Sequence, residues 1–335
     1  MRTLVIAEAG VNHNGNLSLA QELIRVAALA GADVVKFQTF SADKLVTKTA
    51  EKAKYQIVNT KSSESQHSML QALELTREDH QKLKQTCQEN EIEFLSSGFD
   101  MDSLKMLVDI GQHRFKIPSG ELTNLPNLRF IGHLNCEVII STGMATLKEV
   151  EEAIKVLEQS GTQASKITLL HCTSNYPAPP SEVNLNAMLT LGEEFGLRFG
   201  YSDHTQGFEV AIAAVALGAV VIEKHFTLDR KLPGPDHKAS LEPDELIEFT
   251  RSIRNIEAAM GDGIKKPTDT EEITKQIVRK SIVALREIRS GEKFTDSNVG
   301  TKRPGTGISP MLWDQVIGRE SKRNYLEDEM ITDEI

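Results

Sequence analysis

Short apolar runs typical of buried strands alternate with segments of helical periodicity along most of the chain. The predicted strands cover residues 3–10, 33–40, 93–99, 114–121, 137–144, 167–174, 198–205 and 220–227. Apolar residues recur every three to four positions in the predicted helices 17–31, 146–161, 208–218 and 242–261. Thr146 fits the N-cap of the second helix and Gly161 fits its stop. This succession of strand–helix units predicts an α/β fold, a (β/α)8 TIM barrel.

The order of elements also fits a doubly wound open sheet, but no glycine-rich phosphate loop follows the first predicted strand. Residues 41–75 form a long insertion after the second strand, and loops of that length are usually functional or mobile. A polar, proline-containing stretch follows Gly261 and precedes further short β-like segments. We therefore expect a barrel domain at 1–262, a linker at 263–276 and a small domain at 277–335.

Every predicted strand becomes polar towards its carboxyl end, which is where TIM barrels carry their active sites. The polar residues at these ends are Glu8, Lys36, Gln38, Ser96, Ser97, Lys116, Ser119, Glu121, Ser141, Thr142, His171, Thr173, Ser202, Asp203, His204, Glu223, Lys224 and His225. Buried charges are costly unless they are paired or bind a ligand, so the set predicts a binding site at the barrel mouth, with about a third of its members structural.

Two features of this set indicate its chemistry. His204 and His225 occupy equivalent ends of neighbouring strands and would share a divalent cation that keeps open positions for substrate and water. The alternative is two unrelated histidines. A donor-rich group would hold a phosphate, with salt bridges at strand ends as the alternative. It consists of Lys36, Lys116, Ser119, Ser141 and Ser202.

Composition narrows the class of protein. The net charge is −10, from 38 basic and 48 acidic residues, which argues against a nucleic-acid partner. No apolar run approaches the ~20 residues of a membrane span. Glu8 interrupts the short apolar stretch at the N-terminus and no small-residue cleavage site follows, which predicts a first strand rather than a signal peptide. The three cysteines lack a CxxC spacing, so we expect neither disulfides nor a zinc site, and a cytoplasmic location.

Several long motifs resemble the sialic acid synthase family, in order and over nearly the whole chain. They are AEAGVNHNG (7–15), VKFQTF (35–40), FKIPSGE (115–121), ISTGM (140–144), LLHCTSNYPAP (169–179), GYSDHTQG (200–207), IEKHFT (222–227), PGPDHKAS (233–240) and KRPGTGISP (302–310). The C-terminal segment looks like the antifreeze-like (SAF) domain of that family. The resemblance implies a metal-dependent condensation of phosphoenolpyruvate with N-acetylmannosamine and water, which gives N-acetylneuraminic acid and phosphate. The implied metal is Mn²⁺ or Mg²⁺.

The resemblance also implies roles for individual residues. His204 and His225 would ligate the metal, and Glu121 would manage the proton of the attacking water. Phosphoenolpyruvate would be bound by Lys36, Ser97, Lys116, Ser119, Ser141 and Ser202. The sugar would contact Glu8, Gln38, Tyr176, Asp236 and Arg303. Ser97 stands in SSGF where the family has a threonine, which retains the hydroxyl. Arg303 would reach the site of a partner subunit in a domain-swapped homodimer; a surface arginine that supports a turn is the alternative.

Other activities remain open. Legionaminic acid synthases share these motifs and run the same reaction on 2,4-diacetamido-2,4,6-trideoxymannose. A Schiff-base aldolase would use Lys116 or Lys224 without a metal. A non-catalytic carbohydrate- or ice-binding protein built around the C-terminal domain would leave the polar barrel mouth unexplained.

Overall fold

Eight parallel strands form a nearly closed barrel in the first unit of the chain, residues 1–261. The strands are β1 (Leu4–Gly10), β2 (Val34–Thr39), β3 (Glu93–Gly98), β4 (Arg114–Ile117), β5 (Glu137–Ser141), β6 (Ile167–Cys172), β7 (Arg198–Asp203) and β8 (Val221–His225). Hydrogen bonds join them in the order β3-β2-β1-β8-β7-β6-β5-β4, and β3 lies against β4. Sequential strands are thus neighbours around the ring, which confirms the predicted TIM barrel and excludes the doubly wound sheet.

The computed structural model describes residues 2–60 and 64–332. Met1 of the predicted barrel domain, residues 61–63 of the predicted insertion and residues 333–335 of the predicted C-terminal domain lie outside the described residues.

Helices connect the strands of the first unit, and those outside the insertion cover the outer face of the barrel. They are α1 (Leu17–Leu29), α2 (Ala42–Leu45), α3 (Lys54–Thr60), α4 (Gln66–Gln71), α5 (Arg77–Glu89), α6 (Met101–Asp109), α7 (Leu125–His133), α8 (Leu147–Ser160), α9 (Asn186–Phe195), α10 (Glu209–Ala216) and α11 (Pro243–Met260). The apolar faces of α1 and of α5 to α11 bury the outward side chains of the strands in one large core. None of the helices that the structure describes is both long and apolar enough to cross a bilayer.

The inner face of the barrel changes from apolar to polar along the strands. Near the amino ends an apolar cluster fills the interior, formed by Ile6, Val34, Leu95, Ile139, Leu170 and Val221. Side chains two positions apart on a strand share a face, so Ile6 precedes Glu8 on β1, and Val221 precedes Glu223 on β8. The apolar layer therefore supports a polar layer at the carboxyl ends.

Helix α8 begins and ends where the sequence predicts. The Thr146 hydroxyl accepts a hydrogen bond from the Glu149 backbone amide, and the Glu149 carboxylate accepts one from the Thr146 amide at 2.8 Å. Gly161 ends the helix with a φ of 123°, which is open to glycine alone. Strand β4 is shorter than the predicted strand 114–121, because Pro118 has no amide hydrogen to continue the ladder. The next three residues, Ser119–Glu121, form a 3-10 turn instead.

The long insertion after β2 carries helices α2, α3 and α4. Its apolar residues form a cluster of their own with the ends of β1, β2 and β3. The cluster contains Val11, Phe40, Met69 and Leu73, with Leu45, Leu70 and Phe99 packed against it. The insertion is therefore anchored at the carboxyl side of the barrel.

Residues 262–335 form a second unit with its own core. Strand β9 (Ser281–Ala284) pairs antiparallel with β10 (Val299–Lys302), and a short helix α13 (Trp313–Val316) follows. The core contains Ile282, Ala284, Ile288, Phe294, Val299, Val316, Tyr325 and Ile331. The segment interpreted as a linker holds a helix, α12 (Asp269–Val278), which begins at a capping box formed by Thr268 and Glu271.

Candidate active site

The carboxyl ends of the strands surround a cavity of about 370 Å³. The predicted site residues that line it are Glu8, Lys36, Gln38, Ser97, Lys116, Ser119, Ser141, Tyr176, Ser202, His204, His225 and Asp236. Each of the eight strands contributes at least one lining residue, since β6 adds Cys172. The structure thus brings these residues together at one mouth, where TIM barrels carry their active sites.

Four buried charged side chains form what we call the charged floor: Glu8, Lys36, Lys116 and Glu223. None of the four is more than 4% exposed. Lys36 Nζ lies 2.7 Å from Glu8 Oε2 and 3.6 Å from Glu223 Oε2, and Lys116 Nζ lies 3.5 Å from Glu223 Oε1. Buried charges persist only where they compensate one another, and here Glu223 lies between the two ammonium groups.

The two carboxyl groups of the charged floor differ in pKa. Burial raises the pKa of Glu8 to about 7, although Lys36 opposes the shift. Burial acts in the same direction on Glu223, but Lys116, Lys36 and the Ser202 hydroxyl outweigh it and lower its pKa to about 2. Glu223 is thus an anion at neutral pH, whereas Glu8 exchanges a proton there.

The two lysines also differ in pKa. Burial is the largest effect on both and lowers the pKa of Lys116. For Lys36 the charges of Glu223 and Glu8 outweigh burial, so its pKa is raised. Lys116 is thus the ammonium group whose charge the protein compensates less well.

Serine hydroxyls surround the two ammonium groups. Lys116 Nζ donates to Ser141 Oγ at 2.7 Å, and Lys36 Nζ lies 3.5 Å from Ser97 Oγ. Ser202 Oγ donates to Glu223 Oε1 at 2.9 Å. Ser119 Oγ accepts from the Gly143 amide at 3.0 Å. Two cations among several hydroxyl donors suit a small ligand with more than one anionic group.

The two histidines lie side by side, with ring centroids 5.6 Å apart. His204 Nδ1 lies 2.7 Å from the Thr173 carbonyl oxygen, which requires a proton on Nδ1 and leaves the Nε2 lone pair available. His225 Nδ1 is buried and has no hydrogen-bond partner within the described part of the chain. Burial lowers the pKa of His204 to about 4 and lowers that of His225 as well, so both imidazoles are neutral at pH 7. The Tyr176 ring lies 4.1 Å from that of His204.

Two neutral imidazoles with available nitrogens fit a divalent cation. Among residues 2–60 and 64–332, no cluster of three or more His, Cys, Asp or Glu side chains could hold a metal ion. A cation at His204 and His225 would therefore have two protein ligands, and substrate or water would complete its coordination. The charged floor carries balanced charges, so a multiply charged anion bound there would need the further positive charge that such a cation provides.

Other polar strand ends have structural roles outside the cavity. Lys224 is fully buried and donates to Asp203 Oδ2 at 2.9 Å and to the Thr205 carbonyl at 2.6 Å. Since Lys224 does not line the cavity, it is a poor candidate for a Schiff base there. Ser96 Oγ pairs with Thr39 Oγ1 at 2.6 Å, and His171 Nε2 bonds the Val183 carbonyl at 2.6 Å.

Two residues with predicted roles lie elsewhere. Glu121 is not part of the cavity wall as far as the structure describes it; its carboxylate accepts from Asn124 Nδ2 at 2.6 Å and Asn127 Nδ2 at 3.0 Å. In this structure its carboxylate binds side chains at the start of α7, and its role in proton transfer stays a prediction. Arg303 is in the second unit, where its Nε donates to the Val278 carbonyl oxygen at 2.9 Å.

Sequence reasoning left two parts of the cavity without a role. The sequence predicts Glu223 as a polar strand end but does not predict its place between two lysines. Glu223 is two positions before His225 on β8, so the two side chains share one face of the strand, and this spacing indicates that Glu223 also faces the cavity. The insertion contributes Ala53, Gln56, Met69, Leu70 and Leu73 to the lining, and no sequence pattern pointed to these contacts.

Comparison with known proteins identifies the families and relatives that the chain resembles. Residues 23–265 match the model of the NeuB family, and residues 279–334 match that of the SAF domain. The chain is 53% identical to an N,N'-diacetyllegionaminic acid synthase from Campylobacter jejuni, over 98% of this chain and 99% of the relative. It is 48% identical to one from Legionella pneumophila, over 97% and 92% of the two chains.

A solved structure shares the architecture. It is the crystal structure of N-acetylneuraminic acid synthetase from Leptospira borgpetersenii in complex with citrate. The two chains are 33% identical, the alignment covers 82% of this chain and 90% of the other, and the TM-score is 0.71.

Proposed function

The chain belongs to the NeuB family, and we propose that it joins phosphoenolpyruvate to 2,4-diacetamido-2,4,6-trideoxymannose and water, giving N,N'-diacetyllegionaminic acid and phosphate. Membership confirms the resemblance to the sialic acid synthases, and relatives of this kind make the chain a sugar acid synthase. The observation that carries the choice of sugar is the high identity to two diacetyllegionaminic acid synthases. It favours this sugar over N-acetylmannosamine, which the sequence motifs alone put first.

The charged floor supports phosphoenolpyruvate as the donor substrate. Its phosphate and carboxylate would lie against Lys36 and Lys116, where Ser119 and Ser141 add hydroxyl groups. An anion at this place would share the two ammonium groups with Glu223. The fixed ammonium groups and dipoles would orient C3 of the donor towards the acceptor before any bond forms.

The reaction joins C3 of phosphoenolpyruvate to the aldehyde carbon of the open-chain sugar. A proton goes to the aldehyde oxygen, water adds at C2 of the donor, and phosphate leaves as its C–O bond breaks. A divalent cation, Mn²⁺ or Mg²⁺, held by His204 and His225 would supply Lewis acidity at the aldehyde. Glu8 lines the cavity and receives a hydrogen bond from Gln38 Nε2 at 3.2 Å. With its pKa near neutrality, Glu8 is suited to hold a proton for the sugar oxygens.

Tyr176 and Asp236 extend the acceptor side. Both line the cavity, and burial raises the pKa of Asp236 to about 6. An ionised carboxylate at this position would accept hydrogen bonds from sugar hydroxyls above that pH. The three free cysteines suit the reducing cytoplasm, where we place the enzyme.

Release of phosphate tests the proposal directly. Protein stripped with EDTA should be inactive, and Mn²⁺ should restore phosphate release from phosphoenolpyruvate in the presence of the diacetamido trideoxy sugar. We expect kcat/KM for this sugar to exceed that for N-acetylmannosamine. Preference for N-acetylmannosamine would make the chain an N-acetylneuraminate synthase. Metal-independent turnover that borohydride traps as a covalent adduct on Lys116 would instead establish a Schiff-base aldolase.

We further propose that the enzyme is a domain-swapped homodimer in which Arg303 contacts the N-acetyl group of the sugar bound by the partner subunit. Arg303 is exposed in its own unit. Helix α12 carries Ile273 and Ile277, which are 66% and 63% exposed. Apolar side chains of this exposure on one helix suit a surface that a second copy covers.

Arg303→Ala should impair use of the N-acetylated sugar and leave the KM for phosphoenolpyruvate unchanged. If Arg303 acts across subunits, mixing impaired Arg303→Ala subunits with inactive His225→Ala subunits should raise activity to about a quarter of the wild-type value, because half of the dimers are hybrids with one complete site. Arg289→Ala, an exposed arginine of the same unit, is the control and should keep full activity. A monomer in solution, or no recovery in mixed dimers, contradicts the proposal.

A further inference from the structure

One part of the cavity surface is apolar. Five side chains form this part, which we call the apolar wall: Val11, Met69, Leu70, Leu73 and Phe99. Val11 and Met69 are each 4% exposed, and Leu73 is 7% exposed. The wall is the inner surface of the cluster that anchors the insertion, so it is held in place from behind by Phe40 and Leu45.

The apolar wall does not suit phosphoenolpyruvate. That substrate presents a phosphate and a carboxylate, and both need the cations and hydroxyls of the charged floor. The wall offers hydrocarbon and one thioether, with no strong donor or acceptor. The acceptor sugar is therefore the substrate that meets the wall, and the group that meets it must be apolar.

We propose that the apolar wall receives the C6 methyl group of the acceptor sugar, and that Met69 and Leu70 thereby select a 6-deoxy sugar over its 6-hydroxy counterpart. This inference rests on the proposed function, since it concerns the acceptor of that reaction. An acetamido group at C4 suits the wall less well, because its N–H and C=O need partners that the wall lacks. The C6 methyl group needs none.

The expected preference is moderate. A hydroxyl group against the wall would lose water without gaining a partner, while a methyl group gains contact with hydrocarbon. Apolar pockets discriminate against an added hydroxyl by about 10–100-fold. We expect wild-type kcat/KM to favour the 6-deoxy sugar by a factor in that range.

Two sugars that differ only at C6 test the proposal: 2-acetamido-2,6-dideoxymannose and N-acetylmannosamine. Leu70→Gln and Met69→Gln each add an amide to the wall at similar side-chain length. Each variant should lower the preference for the 6-deoxy sugar by about 10-fold or more, through better use of the 6-hydroxy sugar. Leu75→Gln is the matched control, because Leu75 belongs to the same insertion but packs on the main core of the barrel and does not line the cavity, so its preference should equal that of the wild type.

The outcomes separate this inference from the proposed function. Turnover of both sugars with an unchanged ratio in Leu70→Gln and Met69→Gln overturns the wall's role and leaves the reaction standing. The wall's role at C6 is also overturned if the variants change only the preference between sugars with and without the C4 acetamido group, because the wall would then face C4. If the wild type releases no phosphate with any sugar, calorimetric binding of the two sugars decides. Equal affinity, or no binding, overturns both proposals, whereas a 6-deoxy preference lost in the variants preserves the wall alone.

Discussion

His225→Ala should remove metal-dependent turnover while the barrel stays folded. His225 has a buried ring nitrogen without a partner in the described chain, and its neighbour His204 presents Nε2 to the same cavity. A cation left with one imidazole would bind far more weakly, and a Lewis acid contributes several kcal/mol to such reactions. We expect kcat to fall by about 10³-fold or more, with Mn²⁺ affinity falling in parallel. Phosphate release and calorimetric titration of Mn²⁺ into EDTA-stripped protein measure the two effects.

A histidine at another strand end provides the control for His225→Ala. His171 ends β6, bonds the Val183 carbonyl and does not line the cavity. His171→Gln should therefore keep wild-type Mn²⁺ affinity. The metal assignment is wrong if His225→Ala retains full activity, or if it loses activity while Mn²⁺ affinity is unchanged. Circular dichroism separates either result from loss of the fold.

The barrel could be predicted because its signals are local. Thr146 and Gly161 mark the ends of α8 in the sequence, and the structure has the helix between them. Strand runs such as 220–227 contain β8 with small errors at each end. Strand β4 ends four residues before the predicted end at 121, because Pro118 has no amide hydrogen to continue the ladder. Helix α12 is not predicted, because it buries no side chain and its polar, exposed residues are also typical of a linker.

The site was harder to predict than the barrel, because its chemistry depends on contacts between distant segments. Strand alternation places Glu223 and His225 on the inner face and Lys224 on the outer face, although the sequence shows three polar residues in a row. The raised pKa of Glu8 follows from burial, which outweighs the opposing charge of Lys36, 28 positions along the chain. The apolar wall combines residues that follow β1 and β3 with residues of the insertion, and no periodic pattern in the sequence predicts this packing.

Lys116→Met and Lys224→Met should have opposite effects, although both remove a buried lysine at a strand end. Lys116 lines the cavity, its pKa is lowered by burial, and Glu223 keeps Lys36 as a partner when Lys116 is removed. Loss of a charge-assisted contact to the substrate costs about 2–4 kcal/mol, so the KM for phosphoenolpyruvate should rise by about 30–1000-fold. The free energy of unfolding should fall less than in Lys224→Met, since Glu223 keeps Lys36 as a counter-charge.

Lys224→Met should instead destabilise the protein and leave the KM for phosphoenolpyruvate of the folded fraction nearly unchanged. Lys224 and Asp203 are both fully buried, so removal of the lysine leaves a carboxylate without its counter-charge, at a cost of about 3–5 kcal/mol. The double variant Lys224→Met, Asp203→Asn also removes the carboxylate charge and should restore much of the lost stability. Denaturant unfolding and phosphoenolpyruvate kinetics on the same samples give both quantities. A raised phosphoenolpyruvate KM in Lys224→Met, or an unchanged one in Lys116→Met, would contradict the assignment, because the two lysines are distinguished here only by the face of the barrel they occupy.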